Sequence, residues 1–249
     1  MTQHPSFALL YGAVALYVAG LAAHAAGKPR LSWAAVATGL VAHTGFQIGL
    51  ARRAGFFFPA QLVQTGTFVS WCVALVILVK VAVSRKKRRA SSALWVLCPM
   101  AAFAAVQAAL AEANAVPFTA PPPTNPWPWV VAFFGIESLA FACFFVGAWS
   151  ALLHFAGQGE GEGFNSYLVA AFVLYSVAQI VGATWCYLGW GVPFHLGSQR
   201  HFRSAAVWLF LALCVHLRFA PGWETRRRAA VMFGSAPAVF LLQYVLWLG

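Results

Sequence analysis

The chain has 249 residues, 61% of them apolar and 8% charged, and a mean hydropathy of +0.75. So few charges cannot cover an ordinary water-facing surface, and the formal net charge of +11 is gathered in short loops, which is the pattern of membrane orientation and not of nucleic-acid binding. The five cysteines show no CxxC spacing, so neither a disulfide framework nor a zinc site is indicated, and they read as small packing residues.

Apolar runs long enough to cross a hydrocarbon layer of about 30 Å at roughly 1.5 Å per residue recur from end to end. Backbone polar groups have no partner in lipid unless they bond within the segment, so these runs are predicted helices. About eight spans follow, near 6–26, 31–51, 61–83, 91–113, 128–155, 166–188, 204–219 and 229–247. The expected fold is an all-α polytopic transmembrane bundle forming one domain over 1–249. The first span has no basic stretch ahead of it and is too long for a signal-peptide core, so it reads as a retained helix.

Between the third and fourth spans the run Arg85-Lys86-Lys87-Arg88-Arg89 marks the cytoplasmic side, and Lys28, Arg30 and Arg226 to Arg228 fall on that side too. Arg52, Arg53, Arg200 and Arg203 fall opposite. The balance places both termini outside. Prolines 121 to 123, 126 and 128 interrupt helix before the fifth span, with Trp127 and Trp129 at the interface.

Ionisable groups within apolar spans are expensive, which singles out His24, His43, Glu112, Glu137 and His216. Lysine occurs at positions 28, 80, 86 and 87 only, so no late helix carries the lysine of a retinal Schiff base. Asp is absent and no Ser, His and acid cluster is visible, which leaves a hydrolase without apparatus. His216 and His43, each thirteen residues in from an arginine, lie about 20 Å from opposite boundaries at helical rise. Two such imidazoles at similar depth are candidate metal ligands, bis-His ligation of haem iron being the obvious use, and hydrogen bonds to neighbouring helices are the plain alternative. Glu137 is expected either to be satisfied by another helix or to neutralise a His or Arg of the outer loop.

The stretch "GATWCYLGWG" (182–191), then "AAVWLFLALCVHLR" (205–218) and "GWETRRRAAVMFG" (222–234), resembles the end of the cytochrome c assembly superfamily of haem-handling membrane proteins, the CcsA, ResC and CcmC type. "HTGFQIGLARRAGFFFPAQLVQTGTFVSW" (43–71) and "WVVAFFGIESLAFACFFVGAWSALL" (129–153) are similar to earlier parts of the same pattern. The resemblance implies haem presented on a tryptophan-rich outer loop flanked by histidines, with Trp185, Trp190 and Gly191 matching the start of that loop and His216 matching a membrane histidine. Where the family carries WxWDPKE this chain has "FHLGSQRH", and Phe133 or Phe134 stands where the family places a histidine before the fifth span. His195 and His201 are then the substitutes for outer ligands.

The implied cofactor is haem b, and the expected cofactor-binding set is His216, His43, Trp185, Trp190, His195 and His201. Stand-alone catalysis is not expected. The implied partners are the lipid bilayer, haem, and another membrane assembly factor or respiratory-complex subunits, in a bacterial cytoplasmic membrane. A haem-free structural subunit of a cytochrome complex and a HemX-like regulator of haem biosynthesis remain open as alternatives.

Overall fold

The computed structural model describes residues 5–54, 62–83, 93–113, 127–157, 163–194 and 199–245. The basic run 85–89, the proline-rich segment 114–126 and His195 lie outside the described residues. Among them eight α-helices follow one another and no strand occurs. In chain order they are α1 (Pro5–Ala25), α2 (Pro29–Ala54), α3 (Leu62–Val83), α4 (Leu94–Ala113), α5 (Trp127–Phe155), α6 (Gly163–Trp190), α7 (Gln199–His216) and α8 (Thr225–Phe240), which runs on into a π-helical turn at Leu241–Val245.

Each predicted span coincides with a helix among the described residues, and five of these helices are long and apolar enough to cross a membrane: α1, α2, α3, α5 and α6. The distribution of side chains agrees with a lipid surroundings. Helix α6 buries Phe164, Leu168, Ala171, Tyr175, Ala178, Gly182 and Cys186, a single stripe at helical spacing. Its opposite side shows Val169, Val173, Val177, Ile180 and Leu188 to the outside. A helix that hides Tyr and Gly while presenting Val and Ile is built for an apolar solvent. The protein is an integral membrane protein in contact with the bilayer.

The chain forms two compact units, Met1–Pro121 and Pro122–Gly249. In the first, α1 and α2 make the closest pairing. Lys28 N–H donates to Ala23 O at 2.8 Å and Gly27 N–H to His24 O at 3.0 Å, closing α1 with a Schellman motif around the positive φ of Gly27, and Pro29 starts α2. The two helices then pack without a gap, because a Cβ on Gly39 would sit 2.7 Å from the Tyr17 ring. In the second unit α5 is the central helix, packed on α6 and on α8. Gly147 permits this approach, since a Cβ there would meet Met232 at 2.6 Å and Tyr167 at 2.7 Å. Helices α6 and α7 are tied by Trp208 Nε1–H donating to Ser176 Oγ at 2.9 Å.

Two boundaries differ from the sequence expectation in ways that matter. Helix α7 begins at Gln199, ahead of the apolar run, and ends at His216, so Arg200 lies in its first turn with Arg203 just beyond it, and His216 is its last residue. Helix α8 begins at Thr225 and takes Arg226 to Arg228 into its first turn. Apolar periodicity fixes where a helix must be buried and leaves its polar ends free to extend.

Candidate functional site

The candidate site lies in the second unit, where α5, α6 and the start of α7 meet. Helix α6 stops because Gly191 takes a positive φ of 73° and its N–H donates to Tyr187 O at 2.9 Å, the αL type of C-terminal cap. The chain then turns through Val192, Pro193 and Phe194. This places Trp190, Pro193 and Phe194 beside α6 residues Gln179, Gly182, Trp185 and Cys186 and α7 residues Arg200, His201 and Ser204, around a cavity of about 330 Å³. Phe133 of α5 forms the remaining wall, and it fits because a Cβ on Gly182 would be 2.9 Å from its ring.

The apolar side of the cavity is largely aromatic. The Trp185 ring lies 5.9 Å from Phe133, 6.2 Å from Phe134 and 5.6 Å from Trp190. Phe194 meets His201 edge to face at 6.3 Å. Trp190 and Phe194 are more than half exposed, so the aromatic wall continues to the outside.

The polar side is centred on Arg200. Its Nη2 donates to Glu137 Oε2 at 3.2 Å, and Glu137 is wholly buried while the arginine side chain keeps 29% of its surface. The guanidinium also lies over Phe133 and Phe134, 5.0 Å and 4.5 Å from their centroids. A cation in the first turn of a helix opposes the helix dipole, and no acidic residue occupies that turn of α7. Glu137 and the two ring faces provide the compensation. Tyr175 and Ser204 lie together next to this pair. The Cys186 thiol is 3.4 Å from His201 Nε2.

The sequence-predicted residues therefore separate into three groups. Trp185, Trp190 and His201 come together at the cavity, and of the two expectations for Glu137 the structure realises pairing with an arginine, Arg200. His216 does not line the cavity. It shares the outward stripe of α7 with Phe202, Leu209 and Leu213, and its Nδ1–H donates to Ala212 O of its own helix at 2.7 Å, which leaves Nε2 with a free lone pair on the outside. His43 belongs to the first unit and is wholly buried, with the Tyr17 hydroxyl 3.3 Å from its Nδ1 and the Tyr17 and Phe46 rings each 6.1 Å away. Glu112 lies in the last turn of α4.

Sequence reasoning missed Gln179, Cys186 and Ser204 as cavity residues. Cys186 sits one turn beyond Gly182 on the buried stripe of α6, and Gln179 flanks that stripe, so the helical spacing held a signal for both. The two phenylalanines that stand where the resemblance expects a histidine are the rings beneath Arg200.

Comparison with known proteins meets this geometry at one point. Over 82 residues the chain is 32% identical to the cytochrome c biogenesis protein CcsA of Prochlorococcus marinus (strain MIT 9312). The match covers 33% of this chain and 25% of that protein's length. No family model matches, and no solved structure matches. The likeness supports a relation to the cytochrome c biogenesis proteins at the level of the superfamily.

Haem is the cofactor that the sequence resemblance implies, and the cavity of the second unit is where its fit can be judged. About 330 Å³ is at the small end of ligand cavities, room for one edge of a porphyrin and not for the whole macrocycle. The flat rings and the imidazole of His201 suit such an edge. His43 offers no open face for it.

Proposed function

We propose that this protein handles haem in cytochrome c biogenesis, holding the macrocycle by one edge against Trp185 and Trp190 in the bilayer of a bacterial cytoplasmic membrane, with both termini on the outer side. The observation that carries this reading is the aromatic cavity at the end of α6, with His201 and Arg200 on its polar side. Haem, once bound, supplies the iron and the prosthetic group that cytochrome assembly requires.

The chain's own residues have distinct tasks in this reading. Trp185 and Trp190 stack against the flat body and keep water from it. His201 is the candidate ligand within the cavity, and His216, its tautomer fixed by Ala212 O, is the candidate on the outward face of α7. His195, outside the described residues, stays in the proposal as a further candidate ligand. His43 serves the first unit as the partner of Tyr17.

The test is the absorption spectrum of protein purified after haem-replete expression. A Soret band is expected, weakened in His201→Ala and shifted or weakened in His216→Ala. Protein without the band, or a band that neither substitution alters, refutes the proposal.

A further inference from the structure

We infer that the cavity of the second unit is an anchor for an amphipathic acid, taking a carboxylate or phosphate on Arg200 and Gln179 and an apolar body against Trp185, Trp190 and Phe194. Arg200 gives one hydrogen bond to Glu137 and also lines the cavity, together with Gln179, Ser204 and His201. The amide nitrogen of Gln179 is buried and has no hydrogen-bond partner among the described residues. Glu137, the one carboxylate paired here, does not line the cavity.

The cavity lining thus carries a cation and an unmatched amide donor, and no carboxylate. Buried donors are costly when unmatched, so the complementary ligand is one that brings several acceptor atoms and a negative charge. The start of α7 adds to this, because its first-turn backbone N–H groups carry the same sign as Arg200. The opposite wall is aromatic and continues outward through Trp190 and Phe194, which asks for a ligand with an apolar body behind its acid group.

This inference deepens the haem reading and rests on it only for one of its two sources. A porphyrin propionate is such an acid, and the phosphate of a lipid is another. In either case the arriving anion competes with Glu137 for the guanidinium, so acid binding and the buried ion pair are coupled.

The experiment uses the full chain in detergent and three probes: metal-free protoporphyrin IX, its dimethyl ester, and dodecyl phosphate. Since hydrogen bonds to charged groups are stronger than neutral ones, the free acid should bind about 10- to 100-fold more tightly than the ester. Gln179→Leu should reduce that preference and Arg200→Gln should abolish it. Because Arg200→Gln strands Glu137, the double variant Arg200→Gln with Glu137→Gln removes both charges and should lose the preference equally.

Competition by dodecyl phosphate identifies a general acid anchor that accepts lipid phosphate. Absence of competition, with the porphyrin preference intact, identifies a planar carboxylate. Equal binding of acid and ester, or a preference that survives in the double variant, overturns the inference. Acid-selective binding of the metal-free porphyrin without any haem Soret band removes the haem reading and keeps the anchor. A haem Soret band without acid selectivity does the reverse.

Discussion

Among the described residues, His43 in the first unit and Glu137 in the second are both wholly buried, and their partners differ in kind. His43 has a neutral partner, the Tyr17 hydroxyl, inside a seam where Gly39 lets α1 and α2 close without space. Glu137 has a charged partner that is itself open to a cavity. A neutral pair can be sealed because neither member needs a counter-charge. A carboxylate must hold an arginine, and that arginine is long enough to lie at a surface. The lesson is that a buried polar residue marks a binding site when its partner reaches an opening, and marks packing when its partner is enclosed with it.

The comparison can be broken most forcefully at Arg200. Removing one member of a buried ion pair leaves the other uncompensated and costs about 3–5 kcal/mol. Arg200→Met should thus lower the thermal midpoint in detergent strongly, while the double substitution with Glu137→Leu recovers much of the loss. Equal melting of single variant and wild type would show that the carboxylate does not depend on the arginine.

The first unit should respond less. His43→Phe keeps a flat ring, of somewhat larger volume, and strands the Tyr17 hydroxyl, a loss of about 1–3 kcal/mol. It should leave ligand binding at the second unit unchanged, and impaired binding in a protein of near-normal stability would erase the distinction between the units.

Smaller still is the effect at Gly191, whose left-handed backbone ends α6. A side chain there costs about 1–2 kcal/mol. Gly191→Ala should weaken porphyrin binding through displacement of Trp190 and Phe194 more than it lowers the melting temperature. Binding that is unaffected would detach the turn from the site. The smallest stability change is expected for His216→Ala, within about 0.5 kcal/mol because the ring faces outward, and calorimetry in detergent measures it directly.

The eight helices were legible in the sequence because an apolar run long enough to span has few alternatives in lipid. Arg200 paired with Glu137 was only partly so. That the glutamate needs a partner was readable, with a helix or a basic residue of the outer loop both open, but the two residues stand 63 apart in the chain and no local pattern says which group reaches it. The aromatic loop was visible as composition, and Trp185 and Trp190 do meet at the cavity. The outward stripe of His216 was hidden, because its face depends on the register of α7, which polar first-turn residues carry beyond the apolar run. Gln179 and Cys186 escaped notice since an isolated amide or thiol on an apolar helix is ordinarily packing.

The most direct test of the central claim, that ligand binding resides at the second unit's cavity, is a spectral titration of haem into three purified proteins: wild type, His43→Phe, and the double variant Trp185→Ala with His201→Ala. The account predicts the same affinity for wild type and His43→Phe and a loss of at least about tenfold in the double variant, in keeping with removal of a stacked ring and a ligand. Haem affinity retained in the double variant and lost in His43→Phe would contradict it.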